Sequence, residues 1–382
     1  MIRNLLVCGL IFGLGICRCV FAVPDNEGAL EKEGLNTGHH CYVATNGSDT
    51  NAGTQEAPLL TIARASKLAL PGTTVHVAPG TYPGGFSTLA SGTSAQRIAY
   101  ISTVRWGARI VPPARSASDT AWDNRGSYVD IVGFDVDGSA YQGGKMWTHG
   151  LYYGGSFGSI RNNHVHHIAQ TAPCTSAGGS AIGADSYYHG VEIEVIGNLV
   201  HDLGPPGCRF IQGIYFSTSG TISNNVVYRV AEAAIHLWHD ANHVTISNNT
   251  VFASHTGIIV GGGDFYHASA GNDHTEVYNN IVYDNECGIS EQGRTGAHNS
   301  YRHNLVSENS TCNWRLQNGL THEGTVNAAP RFVNYSKTAV PDLHLKSSSP
   351  AIGKGAKSTA IGVDFEGKRR PPAGVDIGAF QH

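Results

Sequence analysis

From residue 160 onward, apolar and polar positions recur in a fixed order. Six segments align without a gap: IRNNHVHHI (160–168), VIGNLVHDL (195–203), ISNNVVYRV (222–230), ISNNTVFAS (246–254), VYNNIVYDN (277–285) and YRHNLVSEN (301–309). Their fourth residue is always Asn (Asn163, Asn198, Asn225, Asn249, Asn280, Asn304), and two positions later stands Val (Val165, Val200, Val227, Val251, Val282, Val306). The stretches flanking each Asn are β-rich, so alternate residues such as Ile222, Val227 and Val251 can point into one shared core. The asparagines lie 35, 27, 24, 31 and 24 residues apart. A constant centre in a unit of varying length predicts a solenoid whose coils carry insertions in their turns.

A second strand follows most units, opening with Gly or Ala and then an apolar residue: HGLYYGG (149–155), SAIGADS (180–186), QGIYFST (212–218), AAIHLWHD (233–240), TGIIVGGGD (256–264) and CGISEQG (287–293). Two or three short strands per coil make a parallel β-helix, an all-β fold. Stacked coils place each Asn over the last, where side-chain amides can bond one another and the backbone freed by the bend. The cysteines test this register. Cys174 and Cys208 follow Asn163 and Asn198 by 11 and 10 residues; Cys287 and Cys312 follow Asn280 and Asn304 by 7 and 8. Coils stack about 4.8 Å apart, within disulfide reach, which predicts the bridges Cys174–Cys208 and Cys287–Cys312 with Cys41 left over.

Composition narrows the partners. Glycine supplies 48 of 382 residues, nearly twice its usual share of about 7%, as a turn-rich solenoid requires, while 41% hydrophobic residues leave material for one large core. The net charge is −4, and more negative without Arg3 and Arg18, so no basic face for nucleic acid is expected. Those two arginines lie in residues 1–22, which read as a secretory leader: Arg3, the apolar run LLVCGLIFGLG, then Val20-Phe21-Ala22 as a small-residue cleavage site. Residues 23–40 then form a flexible stretch and 41–382 a single domain, with a cap at 41–72, coils over about 73–335 and a closing segment at 336–382. A secreted, extracellular or periplasmic, monomeric chain that leaves the membrane after cleavage is expected.

At this point a resemblance appears. The repeats look like the right-handed parallel β-helix of the pectate-lyase-like superfamily, and YVATNGSDTNAGTQEAPLLTIARASKLALPGTTVHVAPGTY (42–82) resembles the opening segment of many secreted members, including polysaccharide lyase family nine. Within it, residues 59–70 suggest a short amphipathic helix that caps the first coil. The C-terminal DLHLKSSSPAIGKGA and DFEGKRRPPAGVDIGAF resemble the closing segments of such proteins. The resemblance implies an acidic polysaccharide as partner, bound along an exposed parallel sheet between long turns, and calcium as cofactor.

The strands beginning Gly/Ala-apolar are the matching sheet. With Leu151, Ile182, Ile214, Ile235, Ile258 and Ile289 inward, Tyr152, Gly183, Tyr215, His236, Ile259 and Ser290 point out, and two residues further Gly154, Asp185, Ser217, Trp238, Gly261 and Gln292 do the same. The expected site gathers His236, Tyr215, His239 and Arg294 as catalytic groups, His236 foremost and exposed. Trp238, Tyr152, Lys145 and Gln292 are the expected sugar contacts, because an indole offers a ring face to a sugar. Asp185, Asp240 and Asp264 are the candidate calcium ligands. The HxxHxxxH spacing of His236, His239 and His243 crosses a strand and a turn, which disfavours zinc, and the HVHH run at His164–His167 reads as structural.

Elimination on a uronic acid chain needs a base at C5, a cation or donor on the carboxylate and a proton for the leaving oxygen. Family nine's acidic calcium cluster and lysine base are not evident, since no lysine stands between Lys145 and Lys337. In their place a base drawn from His236 or Tyr215, with Arg294 or calcium on the substrate carboxylate, is expected, and the resemblance then implies a polysaccharide lyase of the pectate or alginate type. The alternatives are an inverting glycoside hydrolase or epimerase using two of Asp185, Asp240, Asp264 and Glu291, and a non-catalytic glycan-binding surface protein.

Overall fold

The computed structural model describes residues 39–357 and 362–382. The expected leader at 1–22 and all but the last two residues of the expected flexible stretch lie outside the described residues. Those described wind into three parallel sheets of eleven, nine and nine strands, the coils of a right-handed parallel β-helix. A coil lays one strand in each sheet, as in Ile193–Ile196, Leu199–Leu203 and Ile211–Phe216, which we call the first, second and third sheets in that order.

The corner between the first and second sheets is built by the repeated asparagines. Asn163 donates from its backbone N and Nδ2 to Asn198 Oδ1 (2.9 and 3.1 Å), and the same pair of bonds passes from Asn198 to Asn225, Asn249, Asn280 and Asn304. All six are fully buried, so the ladder satisfies backbone that the bend would otherwise strand. The residue before each takes the left-handed conformation (Asn162, Gly197, Asn224, Asn248, Asn279, His303; φ between 51° and 68°), a region that Asn and Gly tolerate best. The Asn-Asn pairs thus divide labour. The second member faces inward to the ladder; the first faces outward, where Asn224 Nδ2 donates to Val363 O, Asn248 Nδ2 to Asp376 O and Gly378 O, and Asn279 Nδ2 to Ala356 O.

The valines stack as the spacing requires: Val165, Val200, Val227, Val251, Val282 and Val306 are partners in register and buried. In the third sheet the row Leu151, Ile182, Ile214, Ile235, Ile258, Ile289 is in register and has no exposed surface. Both expected disulfides form, with Cα atoms 5.4 Å apart for Cys174–Cys208 and 4.7 Å for Cys287–Cys312. Cys41 is free and buried, and burial raises its thiol pKa.

Two boundaries differ from the sequence reading. The cap helix is Ile62–Leu68, shorter than 59–70 because Thr61 is its N-cap and accepts from Arg64 N. The first sheet already begins before it, since His40–Val43 pairs with Thr74–Val77. At the other end the segment after the short antiparallel pair Phe332–Asn334 and Asp342–Leu345 packs Phe365, Ile377 and Phe380 onto the outer face of the second sheet at Val226, Tyr228, Phe252 and Ile281.

Candidate functional site

The third sheet turns outward the row Tyr152, Gly183, Tyr215, His236, Ile259, Ser290, in the predicted register. Its centre is aromatic. The Tyr215 ring meets His236 edge-on at 5.3 Å and His239 at 5.7 Å, and His236 meets Trp238 at 5.6 Å. Trp238 lies over a floor of glycine: a Cβ at Gly263 would stand 2.5 Å from its Cζ2, and one at Gly293 2.8 Å from its Cη2. Its Nε1 donates to Asp264 Oδ2 at 3.2 Å. His239, at φ 47°, holds Nδ1 2.7 Å from Asp264 O and stacks on Tyr266 at 4.0 Å. A carbonyl only accepts, so Nδ1 carries the proton and Nε2 of a neutral His239 keeps its lone pair.

Two long turns wall this centre. Residues 185–191 and 263–271 meet across the shorter turns between them, with Tyr187 edge-on to Tyr266 at 5.2 Å and His189 stacked on His267 at 3.9 Å. Asp240 binds them together, accepting from Tyr266 N, His267 N, Ala268 N and Ser186 Oγ. Towards the N-terminal coils the Arg125 guanidinium sits 4.6 Å from the Tyr152 ring and 3.8 Å from Tyr188, paired with Asp123.

Several expected residues stand elsewhere or do other work. His236 is half-buried, not exposed: both ring nitrogens are shielded and lack partners. Burial, followed by the neighbouring His239, pushes its pKa down to about 3, so it stays neutral. Burial likewise raises the Tyr215 phenol, with Tyr266 and Asp185 adding to the effect. The calcium assignment fails on geometry. Asp185 spends its oxygens on Tyr152 OH (2.7 Å), Ser217 Oγ (2.7 Å) and Tyr187 N (3.0 Å), Asp240 on the loop amides, and Asp264 on Trp238. The three carboxylates do not converge, and the residues present do not fit a calcium ion there. Arg294 donates Nη1 to Ser269 O, propping the 263–271 turn instead of facing the row. Lys145 is exposed in the loop that leads into His149–Tyr153, at the opposite end of the strands from Trp238 and His239. The Tyr152 hydroxyl is held by Asp185, and Gln292 Nε2 by Ser290 Oγ at 3.1 Å. Glu291 is buried against Tyr301 OH, Asn299 and Gln317 N. Sequence reasoning missed Tyr187, Tyr188, Tyr266 and Arg125; the runs SYYHG and DFYH in the insertions were the available signal.

Comparison with known proteins agrees with the fold. A family described as "Right handed beta helix region" matches residues 149–329, and one described as "Protein of unknown function (DUF1565)" matches residues 45–86. The Bacillus subtilis (strain 168) "Uncharacterized protein YwoF" is 29% identical over 144 residues; the match spans 36% of this chain and 30% of that relative's length. Among solved structures, pectate lyase Pel9A is similar at TM-score 0.50 and 16% identity, over 91% of this chain and 98% of that one. The Azotobacter vinelandii mannuronan C-5 epimerase AlgE6 A-module is similar at TM-score 0.52 and 15% identity, over 74% and 72%. A glycoside hydrolase is similar at TM-score 0.54 and 8% identity, over 76% and 95%. At these identities the likeness is one of fold: the chain is a right-handed parallel β-helix.

Proposed function

We propose that the protein is an exported polysaccharide-active enzyme that cleaves a uronic acid-containing polymer by β-elimination on the outer face of its third sheet. The observation that carries this reading is the pairing of Tyr215 with His239 beside Trp238, in a groove whose carboxylates are already engaged. Tyr215 keeps its proton, which suits it to protonate the leaving O4. His239 Nε2, with its lone pair fixed by the Nδ1–H bond to Asp264 O, suits abstraction of the C5 proton. The electron pair left at C5 forms the C4–C5 double bond as the glycosidic oxygen departs with the phenol proton. His236, neutral and shielded, packs beside Tyr215 and Trp238 and keeps the site poor in water. Trp238 on its glycine floor supports one sugar ring. Arg125, four rungs or about 19 Å along the helix, would meet a carboxylate elsewhere on the same polymer.

The hydrolase alternative needs two free carboxyl groups about 6.5–9.5 Å apart, and the engagement of Asp185, Asp240 and Glu291 speaks against it. The two disulfides and the leader-like residues 1–22 support export. The test is incubation of the mature protein with pectate, alginate and glucuronan-type polymers while following the ultraviolet absorbance of the conjugated double bond. Absorbance should grow, and Tyr215→Phe and His239→Ala should each slow it about 100-fold or more. New reducing ends without that absorbance would overturn elimination in favour of hydrolysis.

A further inference from the structure

The second sheet carries a cluster that the groove does not use. Its outward residues pair in register as Asp135 with His164, and as Asp137 with His166 and then His201. His164 Nδ1 and His166 Nε2 each lie 3.0 Å from the same oxygen, Asp135 Oδ1. The three ligand atoms are within 4.8 Å of one another. Behind them stands a second layer: His164 Nε2 is 2.8 Å from His201 Nε2, His166 Nδ1 is 2.6 Å from His167 Nδ1, and His201 Nδ1 is 2.6 Å from Asp202 Oδ2.

The hydrogen bonds behind the cluster set where its protons lie. Arg229 forks onto both oxygens of Asp202 at 2.6 and 2.8 Å, so Asp202 is a carboxylate and accepts from His201 Nδ1–H. That leaves a lone pair on His201 Nε2, which His164 Nε2–H must fill. His164 then directs its remaining lone pair, on Nδ1, at the carboxylate oxygen of Asp135. Two lone pairs at 3.0 Å repel unless a second proton on His164 or a metal ion lies between them, and the second imidazole aimed at the same oxygen favours the metal. The other ligand completes the pattern, because His166 can donate Nδ1–H to His167 and turn its Nε2 lone pair to the same point.

We propose that Asp135, His164 and His166 form a binding site for a divalent transition-metal ion, on a face separate from the polysaccharide groove. Two imidazoles and one carboxylate suit zinc, with metal–ligand distances of about 2.0–2.2 Å and ligand atoms therefore about 3.3 Å apart. Each coordinating histidine donates its other ring proton to an acceptor, the second-layer arrangement that orients metal-bound imidazoles. Asp135, His164 and His166 keep 14%, 19% and 11% of their side-chain surface exposed, which leaves room for an ion with its water ligands to enter. The ion would clip two adjacent coils beside Trp106, whose ring packs on His164 at 5.0 Å.

Zinc titration of the chelator-stripped mature protein by calorimetry, with metal analysis after dialysis, tests this. One equivalent should bind and raise the melting temperature. Asp135→Asn and His166→Gln should each weaken binding at least 10-fold, and His201→Gln about 10–100-fold. His298→Gln, in the exposed Asp273, His274 and His298 group, should leave it unchanged. Loss of binding in His298→Gln, or binding indifferent to Asp135→Asn and His166→Gln, would overturn the site. Ring-nitrogen resonances of the unmutated protein give a check independent of variant folding. Zinc should shift those of His164 and His166. A His164 that keeps protons on both nitrogens at saturating zinc would mean an imidazolium–carboxylate pair and no metal site.

Discussion

The neutral, shielded imidazole of His236 makes the stability of this protein depend on acid in a calculable way. In the unfolded chain the ring titrates near its ordinary value of 6.5; in the fold, burial pushes that down to about 3. Between these values the folded state binds fewer protons than the unfolded one, so the contribution is fully present above about pH 6.5 and is lost as pH falls towards 3. Each unit is worth about 1.4 kcal/mol, so the loss reaches about 2 kcal/mol at pH 5 and about 5 kcal/mol at pH 3. His236→Phe keeps a ring of similar size without the titrating group. Denaturant unfolding of parent and variant across this pH range should show the difference moving in the variant's favour by those amounts. Parallel curves, or a ring-nitrogen titration of His236 with a midpoint near 6.5, would refute the reasoning.

Val227 has no exposed surface in the valine stack; Val227→Asp should cost about 3 kcal/mol or more, and a variant that melts like the parent would exclude the stack. Burial raises Glu232 to about 7 despite Arg209 at 3.3 Å. A raised carboxyl binds more protons when folded, so stability should fall by about 3 kcal/mol as pH rises from 4.5 to 7, and unfolding of Glu232→Gln should lack that slope. Gly263→Ala would place a Cβ 2.5 Å from Trp238 Cζ2 and displace the indole. Polymer KM should rise with kcat little changed, and an unchanged KM would remove Trp238 from the binding surface.

The sequence by itself determined the coil. An Asn at each corner and a Val two residues on can repeat at irregular intervals only if insertions lie outside a constant cross-section, and that constraint was enough to place the ladder, the inward rows of the third sheet and both disulfides. It also brought Tyr215, His236 and Trp238 to one face, because alternation along a strand is a local property. What the side chains do there was decided by tertiary structure. The turns 185–191 and 263–271 are far apart in sequence and meet only after two further coils have stacked between them, so neither their aromatic wall nor the use of Asp240 as their anchor could be read from spacing. The same holds for His236, whose exposure depended on how Tyr215, Trp238 and His239 pack over it, and for Arg294, drawn to a carbonyl in the preceding turn. On the second sheet, only coil stacking turned Asp135, His164 and His201, spread over 67 residues, into neighbours whose proton count can be tested.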